Sequence, residues 1–259
     1  MPTRRELLAA VDTSPTAVAE HDKDRWLSLF AQSAIVNDPV GSAPHQGRAQ
    51  LSRFYDTFIA PNDITFQVHQ DIVCGSTVLR DVTLKIQMSD QVTLSVPAHL
   101  RYAMTADARI DGLYAHWELA PMVGQLIGKG LPAAAVSRRL TVGLLRNQRL
   151  AGTAGFARGF VGVGGRTKRR AVELLSALAA GDSVNAAAAL AESAALRFGV
   201  DEVHSPAEFG EHLAGWRVGK VIAAGHTVSA TLTDGQSYAL AMLEYAGCTV
   251  SSMSVFVDR

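Results

Sequence analysis

The chain has 259 residues, 24 Lys and Arg against 24 Asp and Glu, and 48% apolar side chains. That balance excludes a disordered polyelectrolyte, and the length favours two domains of roughly 100–200 residues each. No apolar run reaches the ~18 residues of a bilayer span, and Pro2-Thr3-Arg4-Arg5-Glu6 leads into an amphipathic helix without the apolar core of a secretory signal. Cys74 and Cys248 stand far apart with no metal-ligand spacing, which reads as reduced thiols in a cytoplasmic protein.

Residues 4–32 carry Leu7, Leu8, Val11, Val18, Trp26, Leu29 and Phe30 in a helical pattern. A break is expected at Thr13-Ser14-Pro15, where Ser14 suits an N-cap and Pro15 the first helical position. A short strand over 34–38 then delivers one acid, Asp38, into the turn Pro39-Val40-Gly41-Ser42. Proline removes a backbone donor and fixes φ, so the turn is stiff and the acid's direction is set. A lone carboxyl among apolar neighbours such as Val36 and Val40 has a raised pKa and suits a general base near neutrality; an aspartate that merely caps the turn is the other reading. Residues 47–59 read as a second helix with Leu51, Phe54, Tyr55 and Phe58 at helical spacing, and Pro61-Asn62-Asp63 as a turn.

Four strand-like runs come next, at 64–74, 77–88, 92–104 and 109–119, separated by Gly75-Ser76, Ser89-Asp90 and Ala106-Asp107. Helices followed by consecutive antiparallel strands predict an α+β fold, a curved antiparallel sheet forming a cone around a pocket. Period-two alternation turns Ala98, Leu100 and Tyr102 inward with Leu113, Ala115 and Trp117. It turns His99, Arg101, Tyr114 and His116 outward, and an outward Tyr114 and His116 mark a face suited to packing on another domain. Tyr102 is the inward residue on these two strands able to donate a hydrogen bond; its plainer reading is a pocket aromatic. His69 and Asp71 share a strand face by the same alternation, but two residues fall short of the usual three or more ligands, so no metal is expected. No cofactor motif and no Ser-His-Asp nucleophile motif is present.

Residues 121–168 read as a connector. From Pro121 to Arg170 there are ten Lys or Arg and no Asp or Glu, so a basic segment lies between two acidic ones. Leu126, Ile127, Leu131, Val136, Leu140, Leu144 and Leu145 give a helical pattern broken by Gly128, Gly130 and Gly143, and the glycines of 152–165 lack the context of a phosphate loop. Three uses are open. The basic stems could cover the acidic domains, which the opposite charges favour; residues 121–170 could lie peripherally on an anionic membrane; or Arg166-Thr167-Lys168-Arg169-Arg170 could bind phosphates. Without stacking aromatics, nucleic acid is the least favoured of these partners.

From Arg169 the opening order returns. Val172, Leu174, Leu175 and Leu178 predict a helix, Ala180-Gly181-Asp182 a break, and 193–199 a strand that places Phe198 where the first half has Asp38 if Ser193 is laid on Ser33. Ser205-Pro206 starts a helix through Phe209, Leu213 and Trp216, and strands follow at 219–224, 227–233, 238–244 and 249–257, with Asp234-Gly235 as a hairpin turn. Residues 169–259 therefore read as a diverged second copy of 1–120, with its acids Glu192, Asp201 and Glu202, and His204, around a solvated turn.

The segment Asn37-Asp38-Pro39-Val40-Gly41-Ser42, with Pro44, Gly47, Phe54-Tyr55 and the preceding helix bearing Trp26, Leu29 and Phe30, resembles the SnoaL-like, NTF2-like superfamily over residues 5–122. Within it, the likeness is to bacterial ketosteroid isomerases. The resemblance implies a hydrophobic carbonyl ligand of steroid or polyketide type, no cofactor, and proton transfer between two carbons with Asp38 as base and Tyr55 in a second layer. The expected pocket lining is Trp26, Val40, Phe54, Ala98, Leu100, Leu113 and Trp117, with Tyr102 as a replacement donor. The family's two oxyanion donors do not carry over, because their places fall near Ser14 and at Ala98. Two functions stay open: a steroid delta-isomerase-like enzyme, or a lipid-binding or scaffolding module. The two copies are expected to pack on each other or to support a homodimer.

Overall fold

The computed structural model describes residues 2–143, 146–147, 155, 158–203 and 205–258. Leu144, Leu145 and His204, named above, lie outside the described residues. Among the described residues no helix is long and apolar enough to cross a membrane.

The first half opens with α1 (Arg4–Ala19), capped by a reciprocal Thr3–Glu6 box, and α2 (Lys23–Ser28), capped by the Asp22 side chain. The expected break at Ser14-Pro15 does not occur; α1 runs through Pro15, and the chain turns at His21 (φ 54°) instead. An interior proline costs a helix about 3 kcal/mol. The burial of Leu7, Val11, Ser14, Ala17 and Val18 along one face offsets it, so tertiary packing overrides the local signal. Strand β1 (Phe30–Asn37) begins earlier than expected and ends immediately before Asp38. After β2 (His45–Gln46), α3 (Gly47–Phe54) passes into a π-turn over Tyr55–Ile59, closed by the Ala60 amide donating to the Tyr55 carbonyl. Strands β3 (Asp63–Cys74), β4 (Thr77–Ser89), β5 (Val92–Met104) and β6 (Ile110–His116) complete a six-stranded sheet of order β2-β1-β6-β5-β4-β3.

Two connector helices follow, α4 (Leu119–Ile127) and α5 (Leu131–Gly143). Their buried side chains, Leu119, Leu126, Ala133 and Val136, join the core of the first half. Gln125 both accepts from the Ser95 amide (3.0 Å) and donates to the Ser95 carbonyl (2.9 Å), so one side chain pairs the stretch of β5 that β6 leaves open. The connector thus packs through its apolar face. Lys168 with Glu118, at 3.0 Å, is its ion pair among the described residues.

The second half repeats the plan. Helices α6 (Gly165–Ala179) and α7 (Ser183–Ala189), strands β7 (Leu190–Phe198) and β8 (Asp201–Val203), and helix α8 (Pro206–Leu213) precede β9 (Arg217–Ala224), β10 (Thr227–Thr233), β11 (Tyr238–Ala246) and β12 (Thr249–Val257). The strand order, β8-β7-β12-β11-β10-β9, matches that of the first sheet. The match extends to register: β1 meets β6 at Phe30/Ile110 and Ile35/Gly112, while β7 meets β12 at Leu190/Val250 and Ala195/Ser252, with a shift at the same place. Carrying that register forward puts Phe198 on Asp38.

The helix-free faces of the two sheets pack together. Ile72 and Leu79 of the first meet Leu240, Met242 and Phe256 of the second. Around this apolar patch, His99 Nδ1 lies 2.8 Å from Ser229 Oγ, Lys220 pairs with Asp81, and Asp258 takes both Arg4 (2.8 Å) and the Val73 amide (2.9 Å). A Cβ on Gly225 would sit 2.6 Å from the Gly41 backbone, so the turn after Asp38 touches the second half directly. The outward His116 is buried against this interface, as its place on the sheet predicts.

Candidate functional site

Between the first sheet and its helices lies a cavity of about 120 Å³. Its walls are apolar, including Val18, Trp26, Phe54, Phe58, Leu100, Leu113 and Trp117, and α4 and α5 close it with Met122 and Leu140. The polar side chains facing it are Ser14, Asp38, Asn62 and Tyr102. Asp38 follows β1 directly, at a cis Asp38–Pro39 peptide, and the Val40 amide donates to the Ala115 carbonyl at 2.9 Å, tying the turn to β6. Trp117, one residue past β6, donates its indole N–H to Asp38 Oδ1 at 2.6 Å. Burial pushes the Asp38 carboxyl up to about 6, and the indole hydrogen bond, which favours the ionised form, opposes that rise.

Tyr102 is 1% exposed and lines the same cavity. Burial raises its phenol far above the ordinary range and outweighs the nearby Arg80 guanidinium, so the hydroxyl stays protonated as a donor. Arg80 itself is a charge that sequence reading passes over. It is 1% exposed on the helix-facing side of β4, held by Asp71 (2.7 and 2.9 Å) and by Asp12 of α1 (2.5 Å). This clamp fixes α1, and with it Ser14, against the sheet.

Other expected residues fall elsewhere. Tyr55 does not line the cavity; it is buried behind Trp26 with ring centroids 5.5 Å apart, and the acids acting on its hydroxyl are Asp22 and Asp56. Val40 stays outside the lining because its turn packs beside Gly225, and Ala98 because its methyl is covered in the core. His69 and Asp71 do not share a face. A bulge between Val68 and Gln70 reverses the alternation, so His69 meets Thr83 (2.8 Å) on the outer side while Asp71 meets Arg80 on the inner side. Among the described residues no cluster of three or more His, Cys, Asp or Glu could hold a metal. Glu192 is exposed, as expected, and the side chains of Asp201 and Glu202 lie outside the described set.

Residues 11–112 match the SnoaL-like domain model. That match covers well under half of the chain, and the chain's two-sheet α+β architecture fits tandem copies of one plan. Similar solved structures include the RV0760c protein of Mycobacterium tuberculosis, in complex with estradiol-17beta-hemisuccinate, at 22% identity over 44% of this chain and 95% of that one (TM-score 0.42). A Delta 5-3-ketosteroid isomerase from Mycobacterium sp. is 24% identical over 44% and 95% (TM-score 0.42). An LEH-like epoxide hydrolase of M. tuberculosis is 18% identical over 52% and 99% (TM-score 0.44).

Proposed function

We propose that residues 1–120 bind a hydrophobic carbonyl compound of steroid or polyketide type and shift a proton between two of its carbons, with Asp38 as base. Residues 121–168 then serve as the cap of that site and 169–259 as a packing copy. The observation that carries this reading is the Asp38–Trp117 pair: one carboxylate, aimed by a 2.6 Å hydrogen bond into an apolar cavity, with a pKa of about 6. Such a group is ionised at neutral pH yet basic enough to take a proton, which is the compromise general-base catalysis requires. In the reaction, Asp38 removes a proton from the carbon beside the carbonyl and returns it further along the conjugated system, leaving no net change in atoms or charge. Tyr102, neutral and facing the cavity, would donate to the oxygen on which enolate charge gathers; Ser14 is a second hydroxyl in the lining.

The cavity volume limits the closed state. An engineered cavity of roughly 150 Å³ holds one benzene ring, whereas ligand sites commonly reach about 300–1,000 Å³. A polycyclic ligand therefore enters only with displacement of the α4–α5 cap at Met122 and Leu140. The test is a 5-ene-3-oxo-steroid followed by the ultraviolet band of the conjugated enone. Turnover lost in Asp38→Asn supports the reading, and absent turnover together with no binding of a phenol as enolate mimic ends it.

A second reading has one observation in its favour. The place of the family's donor acid is Ala98, a core methyl, and among the described residues lining the cavity Asp38 is the one carboxyl group. Loss of an oxyanion donor typically costs about 10²–10³ in rate. The domain would then bind its ligand without converting it, and saturable steroid binding with no enone formation would select that reading.

A further inference from the structure

Helix α5 has two faces. Ala133, Val136 and Leu140 look inward over the cavity, while Leu131, Ala135, Arg138 and Val142, spaced at four, three and four residues, form an exposed stripe. Leu131 is 90% exposed and Ile127, at the preceding α4–α5 corner, 71%. Nine large apolar side chains are exposed among the described residues, and five of them lie between 127 and 161. This is the same stretch that holds ten basic residues and no acid from Pro121 to Arg170. Arg139 donates to the Met88 carbonyl and to Asn62, while Arg138 and Lys129 are exposed and make no ion pair among the described residues. Apolar tips beside unpaired cations are the pattern that an anionic lipid surface complements, since the tips enter the headgroup boundary while the cations meet phosphate.

We infer that the α4–α5 cap docks on an anionic lipid bilayer and that the apolar ligand passes from the bilayer into the cavity beneath. A second cavity, lined by Val136 and Val142 of α5 with Asp56 and Pro61, shares Asn62, Met88 and Leu140 with the deep one, so a shift of α5 joins them into one passage. The passage rests on the ligand-binding reading above; the docking does not, because it is read without any ligand.

The experiment is co-sedimentation of the full chain with phosphatidylcholine vesicles and with vesicles that also contain phosphatidylglycerol. Binding is expected to the second kind, to fall with added salt as screening shortens, and to weaken about fivefold in Arg138→Gln. Leu131→Ser should also weaken it while leaving far-ultraviolet circular dichroism unchanged. No binding to either vesicle overturns the inference, as does equal binding to both. Binding indifferent to Arg138→Gln and Leu131→Ser overturns it too. A stripe that joins two copies of the chain, seen as a dimer by sedimentation velocity and lost in Leu131→Ser, would likewise replace the lipid by a second protomer.

Discussion

The two halves share strand order and register, yet they use their inner faces in opposite ways. Position by position, the first half has Ser14, Asp38, Arg80, Tyr102 and Trp117 where the second has Leu174, Phe198, Ala230, Leu243 and Val257. The shared turn between the opening helices fixes the helical part of this correspondence, since Asp22 and Asp182 both cap the following helix. Where the first sheet lines a cavity, the second closes over Phe198, which stacks on His212 at 4.7 Å and meets Phe209 edge-on at 6.1 Å. Polar groups facing apolar space destabilise a fold unless they are paired. Under the proposed function, the half without them is the scaffold and the half that bears all five is the site.

The sharpest way to break this contrast is at Asp38. Asp38→Asn keeps shape and removes the base, so turnover of any substrate found should fall by about 10²–10⁴, measured as kcat at saturating substrate. Unchanged turnover would reduce Asp38 to a turn residue and make the halves equivalent. Arg80 tests whether the polar set is also structural. Arg80→Ala leaves Asp71, itself mostly buried, without its partner, and should cost about 3 kcal/mol in a denaturant titration. Ala230, its counterpart, already has alanine there, so the loss belongs to the first half alone.

Much of this contrast is legible in the sequence. Laying Ser193 on Ser33 puts Phe198 on Asp38, and alternation places Leu100, Tyr102, Leu113 and Trp117 inward, because strand parity is a strict rule while the ladder is regular. It fails where the ladder is not regular. The bulge near His69 reverses every later side chain of β3, and nothing in the residues around it announces that. Arg80 is hidden for another reason: an arginine inside a strand run reads as a solvated side chain until Asp12, 68 positions away, is seen to reach it. The continuity of α1 through Pro15 is hidden likewise, since it depends on a sheet packed against the helix.

Trp117 sharpens the comparison more gently. Trp117→Phe keeps a ring in the lining but removes the N–H that favours ionised Asp38. A hydrogen bond to a charged group is worth about 1.5–3 kcal/mol, so the acid limb of the pH–rate profile should move up from about 6 by roughly one to two units. A limb that stays in place would mean the indole only packs.

The smallest effect concerns the seam between the halves. His99 and His116 are buried there, burial lowers both to about 3, and neither His116 nitrogen has a partner. A histidine held neutral when folded, but free to titrate near 6.5 when unfolded, gives the unfolded chain the extra proton between those values. Stability therefore falls as pH falls from about 6.5 towards 3. Asp38 acts with the opposite sign between 3.8 and about 6, where the folded form holds the extra proton, so one group offsets part of what two remove. The second half has Phe256 at the position of His116, already packed in the same seam. His116→Phe should thus keep or raise stability at neutral pH and reduce the slope below pH 6 by at most about 1.4 kcal/mol per unit, the contribution of one proton. Chemical denaturation at a series of pH values measures that slope. An unaltered slope would show that His116 takes up its proton in the folded chain as readily as in the unfolded one, and that the acid sensitivity of the seam lies with His99, whose neighbour Asp81 is paired with Lys220.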